Sequence, residues 1–179
     1  MEKKKWNTLT KAEKRVAIAK DVLKYVGKGK FEARGGVYYR AIELSNEFDS
    51  LSGYDSDKPV ELQKILQKAT SCTVCAKGAL LFADILKKNE CKMSEFELGD
   101  KEEQNFIAER LTKDWTIKQL GLIESAFEEN GQYAIEVGYS AKMADRVEQY
   151  REDKRVDDDE SALISIMKNI IKNKGTFKP

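Results

Sequence analysis

Histidine is absent from this sequence, proline occurs twice and cysteine three times. Without an imidazole, no Ser-His-Asp or Cys-His pair exists to activate a nucleophile. Zinc sites that use histidine, the HExxH helix and the HxE deaminase signature are excluded with it. Acid–base work would fall to Asp, Glu, Lys, Tyr or Cys, each needing a large pKa shift to act near neutrality. Neither GxGxxG nor GxxxxGK[ST] occurs, so the usual phosphate-cradling loops are missing. No apolar run approaches the roughly 20 residues that span a bilayer. The start, MEKKKWNTLT, lacks the apolar stretch of a signal peptide, and a cytoplasmic location is expected. These absences predict a non-enzymatic protein with no cofactor, no bound metal and no membrane contact.

What is present is a balanced, foldable composition. Of 179 residues, 41% are hydrophobic and 35% charged, with 32 Lys and Arg against 31 Asp and Glu. A chain of this length matches one domain and buries about 70% of its unfolded surface without a staple. The expected organisation is a basic, partly flexible lead over 1–9 followed by a single helical domain over 10–179. No solenoid repeat and no low-complexity linker interrupts it.

Hydrophobic spacing predicts a mainly α fold of about six to seven helices, with room for one small two-stranded β element. Thr10 and Glu13 fit a capping box at the start of a helix over 11–26, striped by Val16, Ala19, Leu23 and Val26, widened by Ile18 and Val22, and ended by Gly27 and Gly29. The segment RGGVYYRAI at 34–42 favours a short strand or extended arm. Residues 45–58 form a turn-rich acidic loop, and Pro59 opens a helix with Leu62, Ile65, Leu66 and Ala69 on one face. The most apolar segment predicts a central helix over 72–88, with Lys77, Asp84, Lys87 and Lys88 on its polar side. Short helices are expected over 102–111 and 116–129, the second ended by Asn130–Gly131. Alternation at Tyr133, Ile135, Val137 and Tyr139 predicts a strand able to pair with Val37–Tyr39. Met143, Val147 and Tyr150 mark a further helix. The last one follows the acidic run 157–160 and closes at Lys174–Gly175.

Charge is unevenly spread. The first forty residues hold twelve Lys and Arg and four Asp and Glu, a net of +8, and the remaining 139 carry −7. Such an asymmetry points to a polyanionic partner, because a basic face gains free energy by releasing counterions from phosphates. Trp6, Tyr38 and Tyr39 are candidate stacking residues, with Lys28, Lys30, Arg34 and Arg40 as phosphate partners. The competing reading is that the two halves neutralise each other in the fold and that the aromatic residues are core. A third is that acidic groups at Asp49, Asp55 and Asp57, or Asp157 to Glu160, imitate a phosphate backbone.

Cys72-Thr-Val-Cys75 is a CxxC pair, and Cys91 is the third thiol. Three sulfurs without histidine do not complete a typical structural zinc site, although a carboxylate or a second copy would supply the missing ligand. Cys72 near a helix N-terminus would have a lowered pKa and be oxidisable. The ordinary alternative is a pair of buried thiols acting as small hydrophobes. Glu124 with Glu128, and Glu148 with Glu152, stand at i, i+4 and would hold Mg²⁺ only with help from another helix. Solvated helix faces are the ordinary account of them.

Two stretches, CTVCAKGALLFADI at 72–85 and LISIMKNIIKNKGTFKP at 163–179, resemble an uncharacterised family of small bacteriophage and prophage proteins. That family shares a Cys-x-Val-Cys-Ala-x-Gly-Ala helix and a closing Ile-Met-x-Asn-Ile-Ile-x-Asn-x-Gly helix. The resemblance implies a phage or mobile-element setting. By analogy with other small phage proteins lacking a catalytic signature, it implies binding to a host or defence-system protein or ribonucleoprotein. An anti-CRISPR-like inhibitor of a nucleic-acid-guided nuclease, touching the nuclease or its guide RNA, is the expectation. The alternatives are a standalone nucleic-acid-binding accessory protein and a metal- or thiol-dependent enzyme.

Overall fold

The computed structural model describes residues 6–36, 39–42, 66–67, 71–88 and 109–179. The expected acidic loop at 45–58, the Pro59 helix start, Cys91 and most of the helix expected at 102–111 lie outside the described residues. Of the basic lead, Trp6–Thr8 forms a turn of 3-10 helix, and Trp6 packs half-buried against the core. The chain is mainly helical with one small sheet.

Seven α-helices have both bounds among the described residues. They are α1 Lys11–Val26, α2 Ala76–Lys88, α3 Ile117–Glu128, α4 Gln132–Glu136, α5 Ala141–Glu148, α6 Tyr150–Lys154 and α7 Asp159–Lys172. The start of α1 is the capping box that Thr10 and Glu13 predict. The Thr10 hydroxyl accepts the Glu13 N–H, and the Glu13 carboxylate accepts the Thr10 N–H at 2.8 Å. Such a cap stabilises a helix by about 1 kcal/mol. Ile18, Ala19, Val22 and Val26 form the buried stripe of α1, which packs chiefly on α7 and α2.

The sheet has three strands, β1 Phe31–Ala33, β2 Tyr39–Ile42 and β3 Ser71–Val74, in the order β1-β3-β2. β1 runs parallel to β3 with Phe31 opposite Cys72, and β2 runs antiparallel to it with Tyr39 opposite Val74. This corrects two expectations. The helix expected from 72 begins only at Ala76, because Ser71–Val74 is the middle strand. A strand enclosed on both sides shows a continuous buried run, here Cys72, Thr73 and Val74, and such a run is not distinguished from a buried helix by its spacing.

The second correction concerns 133–139. Residues Gln132–Glu136 form the short helix α4 and pair with no strand. The period-two alternation there is coincidental. The residue that goes fully inside is the small Ala134, while Ile135 is 46% exposed. Close packing fixes the arrangement: a Cβ placed on Gly121 of α3 would lie 2.6 Å from the Val137 side chain and 3.2 Å from the Tyr133 carbonyl. Only glycine lets the two segments approach this far. The helix marked by Met143, Val147 and Tyr150 is also two pieces, α5 and α6. Helix α3 ends with Glu129 itself in the left-handed region at φ 51°, ahead of the Asn130–Gly131 pair.

Helix α2 is buried at every position from Gly78 to Leu86, as a central helix must be. Its polar side, Lys77, Asp84, Lys87 and Lys88, is largely drawn into ion pairs, with Lys87 exposed. Asp84 is buried and Lys77 and Lys88 are half-buried, each engaged by an opposite charge. The chain end is tied to the core as well. Gln119 accepts the Phe177 N–H at 2.6 Å, and the Asn169 side chain holds both the N–H and the carbonyl of Lys178. Gly175 sits at φ 90°, where a Cβ would meet the Ala12 carbonyl at 2.5 Å. Both stretches that carry the phage-family resemblance are therefore core: one supplies β3 and α2, the other α7 and the strap after it. Their apolar residues specify packing, and the exposed side chains of the second are the lysines Lys168, Lys172, Lys174 and Lys178.

Candidate functional site

A cavity of about 590 Å³ opens where the start of α1, the end of α2 and the segment 110–114 meet. Trp6 forms one side of it. Six cationic side chains line it, namely Lys11, Lys14, Lys87, Lys88, Arg110 and Lys113, against the two carboxylates of Asp84 and Asp114. Three ammonium groups lie around the indole, with Nζ to ring-centroid distances of 5.7 Å for Lys14, 5.8 Å for Lys87 and 5.3 Å for Lys88. Contacts of this length are cation–π interactions.

The interior of the cavity is a compensated charge network. Arg110 Nε donates to Asp84 Oδ2 at 2.9 Å, and Lys88 bridges Asp84 Oδ1 at 2.6 Å and Asp114 Oδ2 at 2.8 Å. Burial works against the Lys88 ammonium, but its hydrogen bonds to Asp114 and Asp84 outweigh that, and its pKa lies above the ordinary lysine value. Lys88 therefore stays charged. Asp84, Arg110 and Asp114 are each less than a tenth exposed, whereas Lys11 and Lys113 are exposed at the rim. Asp21 takes up Lys87 at 2.9 Å, and Lys14 lies 3.8 Å from Asp114. The two carboxylates engage the deep cations, and among the described lining residues the exposed lysines Lys11 and Lys113 stand at the rim.

The residues expected to form one basic face are divided. Trp6 lies at the beginning of α1, while Lys28, Lys30 and Arg34 follow its end, and a helix of sixteen residues is roughly 24 Å long. Lys28 and Arg34 are exposed, and Lys30 Nζ donates to the Gln67 carbonyl at 2.8 Å. Burial lowers the Lys30 pKa, with the nearby Cys72 opposing. Tyr39 and Arg40 belong to β2 by their backbone, and Tyr38 lies outside the described residues. Neutralisation of the basic part by acids of the remainder, the competing reading, occurs at Lys14–Asp114, whereas Asp21–Lys87 pairs the opposite way, and Lys28 and Arg34 are left exposed. Sequence reading missed Lys11, Lys14, Arg110 and Lys113 as site residues. The Lys87–Lys88 pair in the last turn of a buried helix, with Trp6 as an aromatic in a basic lead, was the available signal.

The other candidates have structural duties. Burial pushes the Cys72 thiol up to about 11, with Lys30 lowering and Glu32 raising it, and pushes Cys75 up to about 12. Cys72 lies in a strand, so the lowered pKa expected from a helix N-terminus does not arise. Glu124 pairs with Lys77, and Glu128 accepts the Gly36 N–H at 2.9 Å. In the acidic run, Asp158 caps α7 by accepting the Ser161 N–H, and Asp159 holds both Arg151 and the Gly35 N–H. The Arg34-Gly35-Gly36 bend is thus clamped by carboxylates from α3 and α7. Among the described residues, no group of three or more Cys, Asp and Glu converges on a metal position, and no helix is long and apolar enough to cross a membrane. No protein-family model matches the chain, and neither a curated protein nor a solved structure matches it.

Proposed function

We propose that this protein is a non-enzymatic binding protein that recognises nucleic acid, alone or as the guide of a nucleoprotein. One observation supports this reading above the others: among the described residues, an open cavity is lined by Trp6 and six cations against the two buried carboxylates of Asp84 and Asp114. Cations hold phosphates by releasing counterions, and an aromatic face accepts a base of any sequence. Thiol chemistry loses support because burial pushes Cys72 and Cys75 away from the thiolate. The resemblance to phage and prophage proteins would set this binding in a host or defence system, where occupying a guided nuclease or its guide RNA inhibits without any catalytic residue.

Fluorescence anisotropy with a labelled single-stranded RNA tests the reading. If about four cations act, the logarithm of the affinity falls against the logarithm of salt with a slope of about −3. The exposed pair Lys11→Glu and Lys113→Glu should weaken binding at least about tenfold while the melting temperature stays near that of the unaltered chain. Absence of binding, or affinity indifferent to salt, overturns it.

A further inference from the structure

We propose that the Trp6 cavity is a site for a single nucleotide bearing a terminal phosphomonoester, its base against the indole and its phosphate on the rim lysines. The inference rests on the nucleic-acid reading and narrows it from a surface to a pocket. Size is the first argument. About 590 Å³ falls within the roughly 300–1,000 Å³ of small-molecule sites, enough for one nucleotide and too little for a run of strand.

Charge gives the orientation. Asp84 and Asp114 are among the most buried groups of the lining, and their charge is spent on Arg110 and Lys88. A phosphate pushed to that depth would meet two carboxylates. At the rim it meets the exposed Lys11 and Lys113 instead, in a cavity that Trp6 also lines. A terminal phosphomonoester carries close to two negative charges where an internal diester carries one, so lysines lining one cavity favour the strand end or a free nucleotide over the middle of a strand. Both sources share this chemistry, and the measurement separates them.

The chain holds two tryptophans, Trp6 half-buried at the cavity and Trp115 buried beneath Arg15. Quenching of intrinsic fluorescence by a ligand in the cavity should therefore report on Trp6. Adenosine monophosphate is expected to quench and to bind at least tenfold tighter than adenosine or inorganic phosphate. Trp6→Leu should remove the quench, and Lys11→Gln with Lys113→Gln should weaken binding at least tenfold with the fold intact. An oligonucleotide phosphorylated at one end and binding tenfold tighter than its hydroxyl-ended twin identifies the strand end as the source. Binding of the mononucleotide with no oligonucleotide binding identifies the free nucleotide, and it upholds the pocket while refuting the broader reading. Oligonucleotide binding that ignores end phosphorylation and survives the two lysine substitutions leaves the broader reading standing and overturns the pocket. So does a mononucleotide that binds no better than inorganic phosphate.

Discussion

Asp84 of α2 and Arg110 face each other at 2.9 Å between Oδ2 and Nε, both with side chains less than a tenth exposed. The pair joins the central helix to the segment leading to α3, and it forms the inner end of the cavity. Buried ion pairs cost desolvation and break expensively, because removing one partner leaves the other facing a medium that solvates it poorly. Asp84→Ala is accordingly expected to destabilise the fold by about 3–5 kcal/mol in a urea titration. Replacing Asp84 and Arg110 together by leucine and methionine should recover most of that loss. A cost under about 1 kcal/mol for Asp84→Ala would show that the network carries little of the stability.

A pH dependence follows from the clamp on the glycine bend. Burial holds the Glu128 pKa above its ordinary value of 4.5, the Gly36 N–H opposes this, and Glu124 and Asp159 add to the rise. Between 4.5 and the raised value the folded state binds more protons here than the unfolded chain, so this group's contribution to stability falls as pH rises through that window. Glu128→Gln keeps an oxygen for Gly36 and removes the titration. Its stability relative to the unaltered chain should therefore grow with pH across the same window, as read from urea midpoints. A difference that stays flat would contradict the assignment.

The thiols make a third expectation. With pKa values of about 11 and 12, Cys72 and Cys75 are almost wholly protonated at pH 8. In a Cys91→Ser chain, iodoacetamide should label the folded protein at least about a hundredfold more slowly than the protein unfolded in guanidinium. Rapid labelling of the folded chain by mass spectrometry would restore the thiol chemistry that the burial of these residues disfavours.

Local chemistry alone determined several elements here. Thr10, Glu13 and the stripe from Val16 to Val26 specify α1 to the residue, because a capping box and a helical period depend only on neighbours in the chain. The closing helix is equally legible, from the acidic residues at its start to Lys174–Gly175. The strand Ser71–Val74 was not, since a short, fully buried run has no period of its own and becomes a strand only when β1 and β2 flank it. Nor was the helix at Gln132–Glu136, where contact with Gly121 decides against the alternation.

The candidate site divides in the same way. A basic lead and Trp6 are visible in the sequence, and their polarity and aromatic character do not depend on the fold. Tertiary structure decided which charges share a cavity: it brought Lys87, Lys88, Arg110 and Lys113 from distant positions to Trp6, while Lys28 and Arg34 follow the other end of α1. Composition determines how much charge a chain carries. Burial of Asp84 and Asp114 determines which of those charges are spent inside the protein and which are left facing water.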